Sequence, residues 1–112
     1  MNLQQIIDHL NLKQLTVGKD FSSILPSAGY ASDLLSCVMA GAKREGIWIT
    51  LQAHSNIVAV AALLDLSAVI ITEGALPDQA TVDKANEQAV ILLSTSEPTF
   101  EVVGKLWELG LK

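Results

Sequence analysis

The residues of this sequence that could do chemistry follow two short apolar runs. Six of them close or follow those runs: His54, Ser55, Asn56, Thr72, Glu73 and Gly74. An imidazole, hydroxyls and an amide can hold a polar ligand, and the start of a helix offers backbone N–H groups to an anion. The set contains neither a carboxylate pair nor a nucleophile with a matched base. It therefore predicts a ligand-binding site and no catalytic centre.

Most of these residues also have a purely structural interpretation. Ser55 can cap the helix that follows it, with His54 as a surface turn residue. Gly74 suits a turn that needs a positive φ. Asp33 could be a site carboxylate, but Ser32 or Asp33 is equally suited to be the N-cap of the apolar helical run that comes next. These alternatives stay open on the sequence alone.

The segment from Gly46 to Gly74 has the pattern of a strand, a turn, an apolar helix and a second strand. Ile47–Leu51 and Ala68–Thr72 are short β-rich runs, and Asn56–Leu64 between them repeats apolar residues at helical spacing. A βαβ unit has parallel strands joined by a right-handed crossover. The carboxyl ends of both strands then lie at one edge of a sheet, where ligands of open α/β sheets tend to bind.

The rest of the chain supplies further strands and covering helices. Its predicted elements are a helix capped by Asn2 and ending near Leu10, an edge strand Leu12–Val17, an extended segment Gly29–Asp33, a helix Leu34–Ala42, a polar helix capped by Asp78 or a neighbour, a strand Val90–Leu93 and a closing helix Thr95–Leu109. Ser94, Thr95 and Ser96 would join the same sheet edge. This alternation predicts a three-layer α/β/α fold with a mostly parallel sheet of about five strands, in one domain spanning residues 1–112.

Composition excludes several classes of function. The 112 residues carry a net charge of −5, and their seven Lys and Arg are scattered, which argues against nucleic-acid binding. No apolar run is long enough to cross a bilayer, and the first residues lack the features of a signal peptide, so we expect a cytoplasmic protein without membrane contact. Cys37 is the single cysteine; we expect it to be a buried structural thiol.

Two helices carry more apolar surface than one core contact requires. Asn56–Leu64 is apolar almost all the way round, and the closing helix has apolar residues on two adjoining faces. With half of all residues apolar and a mean hydropathy of +0.40, the chain is expected to cover this surface by forming a homodimer.

Three segments also carry a resemblance to a known family: GYASDLLSCVMAGA, GIWITLQAHSNIVAVAALLDLSAVIITEGALPD and VILLSTSEPTFEVVGKLWELGL. In this order and spacing they resemble the DRTGG domain, a small α/β module found beside CBS domains and in a class of phosphotransacetylases. Its fold is similar to the N-terminal domain of HPr kinase/phosphorylase. The chain looks like the short stand-alone members. The naming motif is partial, because the region of His54 replaces the Asp-Arg pair, while Thr72, Glu73 and Gly74 stand for Thr-Gly-Gly.

The resemblance implies a regulatory or assembly element without chemistry of its own, since phosphoryl transfer in the similar kinase resides in a separate P-loop domain. We therefore expect a non-catalytic regulatory module without a cofactor or metal, which senses a small polar or nucleotide-like ligand. The alternative is an interaction partner of a larger enzyme or regulator, without a ligand. A third hypothesis, an enzyme that uses His54 as a general base, lacks a partner nucleophile in the sequence.

Overall fold

The computed structural model describes residues 1–18 and 20–112. Within them, five helices alternate with five strands, and a short 3-10 helix spans Phe21–Ser23. The α-helices are α1 (Leu3–Leu10), α2 (Leu35–Gly41), α3 (Asn56–Leu63), α4 (Gln79–Glu87) and α5 (Thr99–Glu108). The strands are β1 (Lys13–Gln14), β2 (Gly29–Ala31), β3 (Ile47–Thr50), β4 (Ala68–Ile71) and β5 (Leu92–Ser94).

The five strands form one sheet in the order β1-β5-β4-β3-β2. Strands β2 to β5 are parallel, while β1 pairs antiparallel with β5 at one margin. Helices α2, α3 and α4 pack on one face of the sheet, and α1 and α5 pack on the other. The predicted α/β fold with a mostly parallel five-stranded sheet is confirmed.

The central strand, β4, shows why this arrangement is stable. Residues on β4 alternate between the two faces: Ala68 and Ile70 join the core under α1 and α5, and Val69 and Ile71 join the core under α2, α3 and α4. All four are buried. A parallel strand covered on both faces needs apolar residues at every position, which is the pattern that this run has.

Helix capping follows the sequence at two helices and departs from it at a third. Asn2 caps α1 in a reciprocal capping box, and Asp78 caps α4. The predicted cap of α2 is wrong: Leu34 is its N-cap and makes no side-chain capping bond. Asp33 instead reaches to the end of β3, where its Oδ1 accepts hydrogen bonds from the Thr50 hydroxyl at 2.7 Å and the Leu51 N–H at 2.8 Å.

The closing helix begins four residues later than predicted, at Thr99 instead of Thr95. Pro98 lies before it with a ψ of 149°, and a residue that precedes a proline is disfavoured in helical conformation. Residues 95–97 consequently form a loop at the end of β5, which leaves their polar groups available at the edge of the sheet.

The expectation of a buried thiol is wrong, because Cys37 is exposed. Val38 is the one buried residue of α2. Because successive helical residues point about 100° apart, the neighbouring Cys37 points away from the buried side. In the described part of the chain, no helix has the length and apolar character needed to traverse a bilayer.

Candidate functional site

The parallel strands β3, β4 and β5 all end at one edge of the sheet, here called the carboxyl edge. Their last residues are in register, since Thr50 pairs with Ile71 and Ile71 pairs with Ser94. The loops that follow each strand therefore start side by side. The predicted site residues lie in the loops after β3 and β4, except Asn56, which is the first residue of α3.

The connections after β4 and β5 leave the carboxyl edge in opposite directions. Strand β4 leads to α4 on one face of the sheet, and β5 leads to α5 on the other face. A crevice opens where neighbouring connections diverge in this way, and it is where open α/β sheets bind ligands. The structure has a cavity of about 420 Å³ at this place, which we call the switch-point cavity.

Polar residues from two parts of the chain line the switch-point cavity: Asn11, Lys13, Ser94, Thr95, Ser96 and Glu97. The backbone of Gly74 and the side chain of Leu76 complete the wall on the β4 side. This volume falls in the range of small-molecule sites, and the polar residues could fix the orientation of a ligand.

A second depression of about 470 Å³ lies on the other side of the segment that joins β4 to α4. We call it the α3–α4 cavity, because its walls come from the start of α3 and from α4. His54, Ser55, Asp78 and Lys84 are among its lining residues, and Leu76 borders both cavities. The six predicted site residues therefore do not share one cavity: His54 and Ser55 line this one, whereas Gly74 lines the switch-point cavity.

Thr72 and Glu73 follow β4, and their side chains form hydrogen bonds with Thr99 at the start of α5. The hydroxyl oxygen of Thr72, which is buried, lies 2.6 Å from that of Thr99, and Glu73 Oε2 accepts a hydrogen bond from the Thr99 N–H at 2.8 Å. A carboxylate at the start of a helix complements the positive end of its dipole. The groups that these two residues were predicted to offer a ligand already serve the fold.

The positive-φ role predicted for Gly74 is confirmed, with φ at 73°. Its N–H donates to the Thr95 carbonyl at 3.1 Å, and the N–H of Glu73 donates to the Glu97 carbonyl at 2.9 Å. These two bonds tie the turn after β4 to the loop after β5. They hold the two walls of the switch-point cavity at a fixed separation.

At the start of α3, His54 is exposed and its Nδ1 contacts the side chain of Asn56. Nδ1 also accepts the backbone N–H of Asn56 at 3.3 Å. Ser55 is the N-cap residue, but its side chain makes no capping hydrogen bond, so the structural interpretation of its hydroxyl is wrong. The hydroxyl is thus left at the wall of the α3–α4 cavity.

The carboxylate of Asp78 lies across that cavity. Hydrogen bonds from the Thr81 side chain and backbone N–H lower the pKa of Asp78, and the imidazole of His54 adds a weaker effect in the same direction. The Thr81 N–H lies 2.8 Å from Asp78 Oδ1. This carboxylate is engaged as the cap of α4 and is a poor candidate for a general base.

Sequence reasoning missed Lys13 and Glu97 as site residues. Lys13 faces Ser94 in the antiparallel register of β1 with β5, and this placement depends on the tertiary fold alone. Glu97 Oε1 accepts a hydrogen bond from Lys105 Nζ at 2.7 Å, while its Oε2 is buried and has no hydrogen-bond partner among the described residues. The sequence does hint at the position of Glu97, because a residue that precedes a proline is disfavoured in a helix, and Glu97 precedes Pro98.

Two arrangements typical of catalytic or metal centres are not formed by the described residues of the cavities. No group of three or more His, Cys, Asp or Glu side chains in residues 1–18 and 20–112 is arranged to hold a metal ion. His54 contacts Asn56 and lies near Asp78, and no nucleophile is hydrogen bonded to it within the described residues.

Comparison with known proteins supports the fold and assigns a family. No curated protein sequence matches the chain. The crystal structure of the CBS and DRTGG domains of the regulatory region of Clostridium perfringens pyrophosphatase, complexed with the activator diadenosine tetraphosphate, is similar in fold, with a TM-score of 0.74 and 17% sequence identity. That match covers 92% of this chain and 44% of the other, so this chain spans less than half of the length of that crystallised chain. The family model of the DRTGG domain matches residues 31–109, and the chain therefore belongs to the DRTGG domain family.

Proposed function

We propose that this chain is a non-catalytic regulatory module, a single domain that forms a homodimer and senses a small polar ligand at the carboxyl edge. The structure of similar fold supports a regulatory role, because its DRTGG domain lies in the regulatory region of a pyrophosphatase and that region is complexed with a nucleotide activator. Two polar cavities at the carboxyl edge support the ligand.

The observation that carries the dimer is the outer face of α5. Phe100 is 89% exposed and Trp107 is 58% exposed, although both are large apolar residues. They lie seven positions apart and thus on one side of the helix, whereas Val102 and Leu106 on the inner side are buried in the core. We call Phe100, Gly104 and Trp107 the α5 stripe. Aromatic residues exposed on one surface are typical of a protein interface.

The unpaired margin of β2 extends this surface. Strand β2 is the outermost strand opposite β1, and an apolar cavity of about 140 Å³ separates its residues Gly29 and Ala31 from Trp107. An exposed strand edge can pair with another chain. A twofold axis would place β2 against its own copy and the α5 stripe against its own copy, so that one contact covers both features.

Helix α3, the other predicted interface, offers less. Its most exposed large side chain is Leu63, at 69%, and most of its apolar residues are buried or half-buried under α2 and α4. The apolar character that suggested an interface from the sequence is largely used by the core. The α5 stripe is therefore the better interface.

Disulfide trapping tests this proposal. In a Cys37→Ser background, Gly104→Cys places a thiol at the middle of the α5 stripe, and the space there is open, with no atom within 4 Å of the added Cβ. Under mild oxidation we expect a disulfide-linked dimer. Ala59→Cys on the exposed side of α3 is the matched control and should stay monomeric on a non-reducing gel.

The outcomes separate the alternatives. Trapping through Ala59→Cys alone would keep the homodimer and move its interface to α3. No trapping at either position, together with a monomeric mass by sedimentation equilibrium, would contradict the homodimer and favour the alternative function, in which the stripe docks onto a larger enzyme or regulator.

A further inference from the structure

The electrostatics of the switch-point cavity differ from those of the whole chain. The protein has a net charge of −5, yet the lining residues of this cavity include the cation Lys13, and their one carboxylate, Glu97, is paired with Lys105. Lys13 forms no ion pair with a described residue. Lys13 pairs with Ser94 in the register of β1 with β5 and lines the same cavity as Ser94 and Ser96, whose hydroxyls can donate hydrogen bonds.

Glu97 adds a second requirement. Its Oε2 is buried without a hydrogen-bond partner among the described residues. Leaving a buried acceptor unpaired costs free energy, so such atoms in native proteins call for a partner such as a bound molecule. Because Glu97 lines the cavity, a bound molecule with a hydroxyl or amino group can supply the missing donor.

The N-termini of α4 and α5 do not compete with the switch-point cavity for an anion. Glu73 occupies the start of α5, where its Oε2 accepts the Thr99 N–H at 2.8 Å. Asp78 occupies the start of α4. An anion is therefore attracted to Lys13 and the hydroxyls of the β5 loop.

We propose that the switch-point cavity binds a small anionic metabolite that also carries a hydroxyl or amino group. A phosphate or carboxylate group contacts Lys13 and the Ser94–Ser96 hydroxyls, and the donor group of the same molecule hydrogen bonds to Glu97. This inference rests on the ligand-sensing part of the proposed function. It names the cavity and the class of ligand.

Four probes test the chemistry by NMR titration of the full chain. Glycerol 3-phosphate has a phosphate and hydroxyls, glycerate has a carboxylate and hydroxyls, methyl phosphate lacks the hydroxyls, and glycerol lacks the anion. We expect saturable shifts of the Lys13 and Ser96 amides with the first two, weaker binding of methyl phosphate and no response to glycerol. The stronger of the first two identifies the anionic group.

Variants then assign each contact. Lys13→Gln should weaken glycerol 3-phosphate binding by about tenfold or more, since hydrogen bonds to charged groups are the strong ones. Lys84→Gln, in the α3–α4 cavity, is the matched control and should leave binding unchanged. Glu97→Gln should weaken glycerol 3-phosphate but not methyl phosphate, because only the former donates to Glu97.

Three results would overturn the inference. They are the absence of a saturable shift with both glycerol 3-phosphate and glycerate, a loss of affinity in Lys84→Gln equal to that in Lys13→Gln, and equal effects of Glu97→Gln on the binding of glycerol 3-phosphate and methyl phosphate. Shifts centred on His54 and Lys84 would move the ligand to the α3–α4 cavity, and the proposed sensing function would survive. No ligand at either cavity, from these probes or from a cell extract, would contradict both.

Discussion

Replacing Phe100 by Ala tests the dimer through the residue that is most exposed on the α5 stripe. Phe100 is 89% exposed in the single chain, so its removal leaves the core of the domain intact. A buried aromatic side chain covers about 150–250 Å². If the interface buries most of Phe100, about 150 Å² leaves water in each copy.

At about 25 cal/mol per Å², that area is worth at most about 4 kcal/mol per copy. Alanine retains part of the contact, so we expect a loss of about 2 kcal/mol per copy, in the range of interface hot spots. Both copies of a homodimer carry the change, which gives about 4 kcal/mol per dimer. The Kd of the dimer should therefore rise about a thousandfold.

Sedimentation equilibrium over a range of concentrations measures this Kd. Leu63→Ala is the matched control, because Leu63 is also a large exposed apolar residue, 69% exposed, but lies on α3. It should leave the Kd unchanged. An unchanged Kd in Phe100→Ala, or a similar loss in Leu63→Ala, would refute the placement of the interface on α5.

Three further predictions, two of them with a control substitution, test the stability of the fold. Asp33→Ala should lower the free energy of unfolding, measured with urea, by about 1–3 kcal/mol, because the Thr50 hydroxyl and the Leu51 N–H lose their acceptor. Asp83→Ala is the control and should change little, because among the described residues this carboxylate accepts only from the Gln79 side chain; equal effects would contradict the role assigned to Asp33. The pKa of Asp78 is lowered from its ordinary value of 3.8, so the stabilisation by its carboxylate is present above that value and is lost as the pH falls through the folded-state pKa. If the urea midpoint of Asp78→Asn decreased on acidification as much as that of the unchanged protein, this role of Asp78 would be refuted. Gly41→Ala should destabilise the fold by about 1–3 kcal/mol, because the new Cβ would lie 2.5 Å from the Tyr30 ring. Gly104→Ala, in the open middle of α5, should instead stabilise the monomer by up to about 1 kcal/mol. Thermal melts of both variants at low protein concentration measure the difference, and equal shifts would contradict it.

The central elements could be predicted because their signal is local. Strands β3 and β4 are continuous apolar runs between turn residues, and each ends within one residue of its predicted boundary. Helix α3 was likewise predicted to within one residue. Burial on both faces favours apolar residues along these strands, with Thr50 as the buried polar residue at the end of β3, so the pattern in the sequence is clear.

The start of α5 was predicted too early although the sequence held the necessary signal. The apolar spacing begins only at Phe100, and the polar residues 95–97 were wrongly included in the predicted helix. Pro98 disfavours a helical conformation at Glu97, and the helix starts at Thr99. This error mattered for the site, since residues 95–97 become a wall of the switch-point cavity.

The remaining differences come from contacts between residues distant in the sequence. Asp33 bonds to the end of β3, 17 and 18 positions away, and Lys13 reaches the site through pairing of β1 with β5. The predicted site was divided because Leu76 lies between the two cavities. Local patterns predict which residues end at the carboxyl edge, but not which of them share a cavity.

Native mass spectrometry of the purified protein tests the central claim most directly, because one spectrum reports the mass of the assembly and of any small molecule that it retains. The account predicts the mass of two chains plus a small anionic molecule, which collisional activation releases and whose mass then identifies it. A spectrum that contains only the bare single chain at all concentrations would contradict it.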